Sequence, residues 1–381
     1  MDSLTGEKMR KRILVICMFD SIHSARWLAQ FQDQDIEFLL FPSSPHRRVH
    51  KNLKALLSGN SQASYRFFPL SKLFGLPLWI ADKFVNNWFR ASLVKSAINR
   101  FKPNFVHAME LQNAGYIAAR AMRQKSTEKL IATNWGSDIF WFQQFPKHRE
   151  KLKHLLSVAD YYSCECNRDV QLAKSLGFAG HVMPVIPNAG GFSQQLLSQP
   201  VPALADRKVI AIKGYHGWVG RAKIALEAVE AIASDLKGYR LVVYSANRGT
   251  IKLAKQIAKR TGLDFTIYGK GKLSHNQVLE LFASAKIYVG LSLSDGISTS
   301  LLESMAMGAI PVQTATACCD EWFTDSGVKV TEITVEGVQQ AILSSLKLAE
   351  KQELSDRNRE IIRTKADADE VAKIARGFYN L

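Results

Sequence analysis

An α/β architecture of two doubly wound parallel-sheet domains, facing each other across a cleft, follows from three features of the 381 residues. Short β-branched runs alternate with longer amphipathic ones, the pattern of parallel strands joined by crossover helices. The alternation occurs twice. Between the two sets, Pro187, Gly190, Gly191, Pro200 and Pro202 interrupt all periodicity over residues 187–206, as a linker does.

The first set of strands is predicted at 13–18, 36–41, 104–108, 130–133 and 160–164. The second set falls at 209–212, 240–244, 265–268, 286–291 and 309–313. Helical periodicity fills the spaces, as over Arg221–Ala233 and Gln277–Ala283. Two Rossmann-like domains result, at residues 1–190 and 205–360. The polar helical tail, 361–381, is expected to return and brace the first. Ligands of such sheets bind outside the carboxyl ends of the strands.

Composition agrees, with 47% hydrophobic and 22% charged residues, ordinary for a soluble globular enzyme. The apolar run at 13–18 is short and leads straight to Asp20. It reads as a buried strand rather than a signal sequence. No stretch approaches the roughly 20 apolar residues of a spanning helix, so the chain is expected to stay in the cytoplasm. The five cysteines match no zinc or disulfide spacing. Cys17 and Cys164 read as core thiols, and no metal is expected.

The net charge of +16 is uneven. Residues 1–200 hold 26 Lys and Arg against 14 Asp and Glu, and the rest hold 24 against 20. The basic first half calls for an anionic partner: phosphate groups, an acidic glycan or an anionic membrane face. No nucleic-acid recognition module is visible, so nucleic acid is not expected. Neither domain carries Gly-x-Gly-x-x-Gly after its first strand, which counts against a nicotinamide-dependent dehydrogenase. No cofactor is expected.

The most informative segment is Leu291–Val312. A strand ends near Leu293, a turn holds Asp295, Gly296 and Ile297, and a helix starts near Ser298–Ser300. N–H groups at such a helix start attract phosphate. Gly296 lets the backbone approach a ligand. Ser298 and Thr299 add hydroxyls, and Glu303, one turn in, can accept both hydroxyls of a ribose. A second reading stays open from the residues alone. Ser300 and Glu303 also form a capping box, in which Glu303 only satisfies its own helix.

This segment resembles the signature of glycosyltransferase family 4, the group 1 glycosyltransferases. That signature has two acidic residues separated by seven others, then Ala-Met-Ala-x-Gly-x-Pro-Val. Here Asp295 and Glu303 have the spacing, and Ser304-Met305-Ala306-Met307-Gly308-Ala309-Ile310-Pro311-Val312 follows. Asp295 stands where the family usually has Glu, and Ser304 where it has Ala. The resemblance implies the GT-B fold and a nucleotide-sugar donor in the second domain. It also implies a retaining mechanism without a metal, and no Asp-x-Asp motif occurs.

Other site residues come from the same resemblance. Lys213, Gly214 and Arg221 match the loop whose two cations grip the donor diphosphate. Lys270, in Tyr268-Gly269-Lys270-Gly271-Lys272, matches the loop under the nucleobase. Asp138 matches a Gly-x-Asp turn in the first domain, although a turn-forming Asp bonded to its own backbone fits equally. His107 matches a strand-end histidine, with Met109 in place of a second and Glu110 beside it. Asp295, His107, Asp138 and Glu110 are the catalytic candidates. His23 and Arg26, after the first strand, are acceptor-side candidates.

The acceptor is implied to be a glycan or a lipid-linked molecule, as in envelope or surface polysaccharide synthesis. Residues 43–54 gather Arg47, Arg48, Lys51 and Lys54. Residues 67–101 mix eight Phe and Trp with five Lys and Arg, and Asp82 is their one acid. Such a stretch suits a peripheral protein on the inner, anionic face of a membrane. Equally, its aromatics suit a core and its bases a solvated face. Two rival functions remain at this stage: an epimerase or phosphorylase of the same fold, and a non-catalytic nucleotide-sugar-binding subunit.

Overall fold

A computed structural model describes residues 10–45, 48–69, 72–122 and 127–380, without the side chains of 72–75. Arg47, named above, and the side chains of Lys72 and Phe74, two members of the aromatic and basic stretch 67–101, lie outside that description. The chain divides into two compact units. Unit 1 comprises residues 1–191 and 369–381, and unit 2 comprises 192–368.

Unit 1 is built on β1 (Lys11–Cys17), β2 (Ile36–Pro42), β3 (Ser64–Phe67), β4 (Phe105–Met109), β5 (Lys129–Thr133), β6 (Tyr161–Ser163) and β7 (His181–Val182). They form one sheet in the order β3-β2-β1-β4-β5-β6-β7, and every pairing is parallel. Unit 2 holds β8 (Val209–Lys213), β9 (Arg240–Ala246), β10 (Asp264–Gly269), β11 (Ala285–Gly290), β12 (Ile310–Thr314) and β13 (Val328–Val330). Their order is β10-β9-β8-β11-β12-β13, again parallel throughout.

Central strands buried on both faces read as continuous apolar runs, and β1 and β4 do so. β3, β7 and β13, absent from the sequence reading, have two to four residues each. That is too short for a period of two to register. All five cysteines are buried free thiols, and burial pushes the Cys17 thiol up to about 12.

The residues read as a linker divide differently. From Phe192 onward they pack on unit 2. The Arg359 guanidinium donates to Leu197 O at 2.9 Å, and Leu204 N–H donates to Gln352 Oε1 at 2.8 Å. The polar tail is two helices, Gln352–Lys365 and Ala368–Gly377. They break where Phe192 bonds Ala366 O and accepts from Ala368 N–H. The returning part is therefore 369–381, shorter than the tail read from sequence.

That return is anchored by Tyr379, which is fully buried among Trp27, Phe31 and Phe38. Its hydroxyl accepts from Trp27 Nε1–H at 3.2 Å and lies 2.6 Å from His107 Nδ1. His107 Nε2 in turn lies 2.6 Å from Thr133 Oγ1. The consistent assignment has Tyr379 donating to a neutral imidazole that carries its proton on Nε2. Tyr379→Phe would leave His107 Nδ1 and Trp27 Nε1 unpaired in the core. It is expected to lower stability by about 1–3 kcal/mol, read as a lower urea midpoint for unit 1 unfolding.

Candidate functional site

In unit 2 the site assembles at the carboxyl ends of β8 and β11. Lys213 is the last residue of β8. Gly214 follows with its N–H on Tyr244 O at 2.7 Å. A Cβ there would come within 2.8 Å of Ala246 Cα and Tyr244 O, so only glycine lets the loop leave beside β9. The loop then pairs back through Arg221 N–H to Leu291 O (3.0 Å) and Leu293 N–H to Val219 O (2.8 Å). This fixes the start of the Ala222–Ala231 helix against the end of β11.

The turn after β11 delivers the Thr299–Ala306 helix, with Ser298 as its N-cap. Ser298 Oγ caps none of its own N–H groups and accepts from Lys213 Nζ at 3.3 Å. The first N–H groups of any helix lack an internal partner. Here they sit beside a lysine ammonium and a cavity of about 130 Å³ lined by Lys213, Tyr215, Ser292, Asp295, Ser298 and Gln313. Asp295 is half-buried at that wall. Gly296 is buried and does not take a positive φ. Ile297 belongs to the core beneath.

The capping box does not form. Ser300 lies inside the helix, and Glu303 is held by another element. Its Oε1 is 2.7 Å from His275 Nε2, at the start of the His275–Ser284 helix. Glu303 is mostly buried, whereas the His275 side chain is 49% exposed.

Two predicted donor residues are placed otherwise. The Arg221 Nη1 donates to Gly217 O (2.9 Å) and Gly220 O (2.8 Å). It closes its own loop and does not line the cavity. Lys270 is exposed on the turn after β10, its N–H on Ala246 O at 3.0 Å.

In unit 1 the predicted residues gather after β1, β4 and β5, with most of their polar atoms engaged by the fold. His107 is fully buried with both ring nitrogens bonded, as above. Burial lowers its pKa to about 3. It is a core residue, and the reading of it as catalytic is corrected. Glu110 is buried at φ +121°, a conformation that costs a non-glycine residue about 1–3 kcal/mol. Its carboxylate accepts from Asn113 and Ala114 N–H at 3.1 and 2.9 Å, capping the π-helical turn Leu111–Gly115. Read as a catalytic candidate, it is instead the cap of this turn.

Asp138 Oδ2 accepts from Trp135 N–H of its own turn (3.2 Å) and from Leu111 N–H (2.8 Å), stapling two βα loops. The turn-forming alternative is thus realised, and Asp138 remains half-buried. His23 and Arg26, at the start of the Ile22–Ala29 helix, are also half-buried, and the His23 ring meets Trp135 edge-on at 5.9 Å.

Two family models match. One described as "Glycosyl transferase 4-like" covers residues 12–165, and one described as "Glycosyl transferases group 1" covers 206–347. The chain is a group 1 glycosyltransferase of the family 4 type. No curated protein sequence matches the enzyme. Solved structures match it over nearly the whole length of both chains. A glycosyltransferase from Rickettsia africae is 14% identical with a TM-score of 0.69, covering 98% of each chain. HepE of Anabaena, in complex with UDP and glucose, is 15% identical with a TM-score of 0.66, covering 97% and 99%. Sucrose-phosphate synthase of Thermosynechococcus elongatus is 14% identical with a TM-score of 0.68, covering 97% and 98%. The glycosyltransferase therefore has the GT-B fold.

Sequence reasoning missed His275 and Gln313. Ser274-x-x-Gln277 marks the helix start that positions His275, but nothing local ties it to Glu303. Gln313 is fully buried and lines the cavity, and its Oε1 has no hydrogen-bond partner among the described residues. The available signal was a polar Gln-Thr pair closing a strand that opens Ile-Pro-Val.

Burial raises both Asp138 and Glu110 above the usual carboxylate range, and the Glu110 charge adds to the rise at Asp138. The folded state thus holds these protons more tightly than the unfolded one. Their contribution to stability is complete below the unfolded carboxylate pKa and is lost as pH rises through the raised folded values. In Asp138→Asn the side-chain carbonyl keeps both N–H bonds. Melting curves from about pH 4 to about pH 8 are expected to fall less steeply with pH for this variant than for wild type.

Proposed function

We propose that this glycosyltransferase retains configuration, works without a metal and moves a sugar from a nucleoside diphosphate to a glycan or lipid-linked acceptor. The setting is envelope or surface polysaccharide synthesis at the inner face of a membrane. The observation that carries the donor reading is the uncapped helix start at Ser298–Thr299 with Lys213 Nζ beside it. Helix N–H groups and a fixed ammonium favour a diphosphate there. Glu303, not engaged by its own helix, accepts the ribose hydroxyls while His275 orients it. HepE structures hold UDP and UDP-glucose. Uridine diphosphate sugars are accordingly the first donors to test.

In this reading the bond from the anomeric carbon to the diphosphate lengthens first. Negative charge builds on the leaving phosphate, and Lys213 with the helix N–H groups stabilises it, the task a divalent cation performs elsewhere. The acceptor hydroxyl attacks from the face the diphosphate leaves, and its proton passes to a phosphate oxygen. Asp295, at the cavity wall, orients the sugar. His23, Arg26 and Asp138, on unit 1, serve the acceptor side.

Thermal shift with UDP, GDP, ADP and their glucose conjugates tests the donor site. A nucleotide at about 100 times its Kd adds about 2.7 kcal/mol, a shift of several degrees. Lys213→Ala and Glu303→Ala are each expected to weaken that nucleotide about tenfold or more, as loss of a charged hydrogen bond does. His275→Ala is expected to weaken it less. Stabilisation by none of the six compounds overturns the donor reading. Discharge of the donor sugar with inversion overturns the retaining mechanism.

A further inference from the structure

Eight large apolar side chains stand exposed among the described residues, and six of them lie between positions 76 and 89. Leu76, Ile80 and Phe84 recur at i, i+4 and i+8, so they share one face of the Lys72–Phe84 helix. They are 53%, 47% and 86% exposed. Val85, Trp88 and Phe89 continue the surface across the turn into the Trp88–Phe101 helix. Asp82, on the first helix, is fully buried. The helix is therefore inverted, with its acid inside and its apolar residues outside, the reverse of a helix packed for water.

This presentation is fixed by the fold. Asp82 Oδ1 accepts from Phe89 N–H at 2.8 Å. Its Oδ2 accepts from Arg90 N–H (3.1 Å) and Nε–H (2.7 Å). The Arg90 Nη1 reaches Ser43 O at 2.6 Å, and Nη2 reaches Asn87 Oδ1 at 2.9 Å. Asn86 and Asn87, both left-handed, make the reversal. A buried ion pair thus clamps the helices of the hairpin to each other and to β2's end, with the apolar ridge outward.

The charge around the ridge has one sign. Asp82 is consumed by Arg90, whereas Lys83, Lys95, Arg100 and Lys102 are exposed and form no ion pair among the described residues. The Lys83 ammonium lies 3.7 Å from the Trp79 ring centre. Beside the turn a cavity of about 270 Å³ opens between Asn86, Asn87, Tyr116, Arg120, Lys151 and His154. Glu150, its one acid, is paired with Lys153. On the helix Pro146–Val158, Lys147 and Lys151 stand one turn apart on the same face, after an exposed Phe145.

We propose that this hairpin is a membrane anchor. Leu76, Ile80, Phe84 and Trp88 enter the headgroup boundary of an anionic leaflet, and the cavity between Arg120 and Lys151 receives a lipid phosphate. Apolar residues ringed by unpaired cations match such a surface in both respects. A second copy of the chain does not, because a two-fold contact through this face would set the same cations against each other. The proposal is independent of the donor chemistry in unit 2.

Co-sedimentation with phosphatidylcholine vesicles, with and without phosphatidylglycerol, tests it on the full-length protein with no donor or acceptor present. Failure here leaves the nucleotide reading standing, and the reverse holds too. Binding is expected only to the anionic vesicles and is expected to weaken with salt. Phe84→Glu with Trp88→Glu is expected to reduce it about tenfold or more, with an unchanged melting midpoint because both side chains are exposed. Lys83→Glu with Lys151→Glu, a second and independent pair, is expected to weaken binding and flatten its salt dependence. Absence of binding to both vesicle types overturns the proposal, as does unimpaired binding by the Phe84/Trp88 variant. A concentration-dependent dimer that this variant abolishes would assign the face to a second copy instead.

Discussion

The unit 2 site depends on one tether, from Lys213 Nζ at the end of a central strand to Ser298 Oγ at the start of a helix. β8 and β11 are neighbours in the sheet, so the residues that follow them emerge side by side. Gly214 lets the first loop turn away against β9 without displacing it. Ser298 uses its hydroxyl toward the lysine rather than toward its own helix. The first N–H groups of that helix consequently stay without a side-chain cap. A positive side chain, a positive helix end and an open cavity then coincide through sheet order alone.

Unit 1 handles charge in the opposite way. Its carboxylates at the strand ends are turned onto backbone N–H groups, Glu110 onto the turn that follows it and Asp138 onto two loops at once. Burial works against their ionisation, and the N–H bonds hold them in place. Glu110 makes this cap from a strained positive φ. These residues give shape to the edge of the sheet. His23 and Arg26, on the helix after β1, are half-buried beside them.

The readable part of the sequence was the part governed by local rules. Central strands showed as apolar runs because both of their faces are covered, and the Asp295–Glu303 turn showed because strand end, helix start and Gly308 punctuation follow one another. The unreadable part joined distant residues. His107 looks like a strand-end ligand until Tyr379, 272 positions later, takes its Nδ1. Glu303 looks like a capping residue until His275, 28 positions earlier, takes its carboxylate. Arg221 looks like a phosphate ligand until its guanidinium folds onto the carbonyls of its own loop. In each case residue type and spacing were right, and what they did not show was the bonding partner, from another element for His107 and Glu303 and from its own loop for Arg221.

The aromatic stretch 67–101 shows the same limit on its largest scale, since composition left core and surface equally open. The structure divides it. Phe67 stacks on Phe19 at 4.7 Å and Phe101 is buried, whereas Phe84 and Trp88 face outward. Which way the Lys72–Phe84 helix turns is decided by Asp82, whose carboxylate has Arg90 and two backbone N–H groups to meet inside. Satisfying that charge is worth more than covering the apolar face, because a buried carboxylate left unpaired is far costlier than an exposed leucine. One acid in a basic stretch thus turns Leu76, Ile80 and Phe84 outward on its helix.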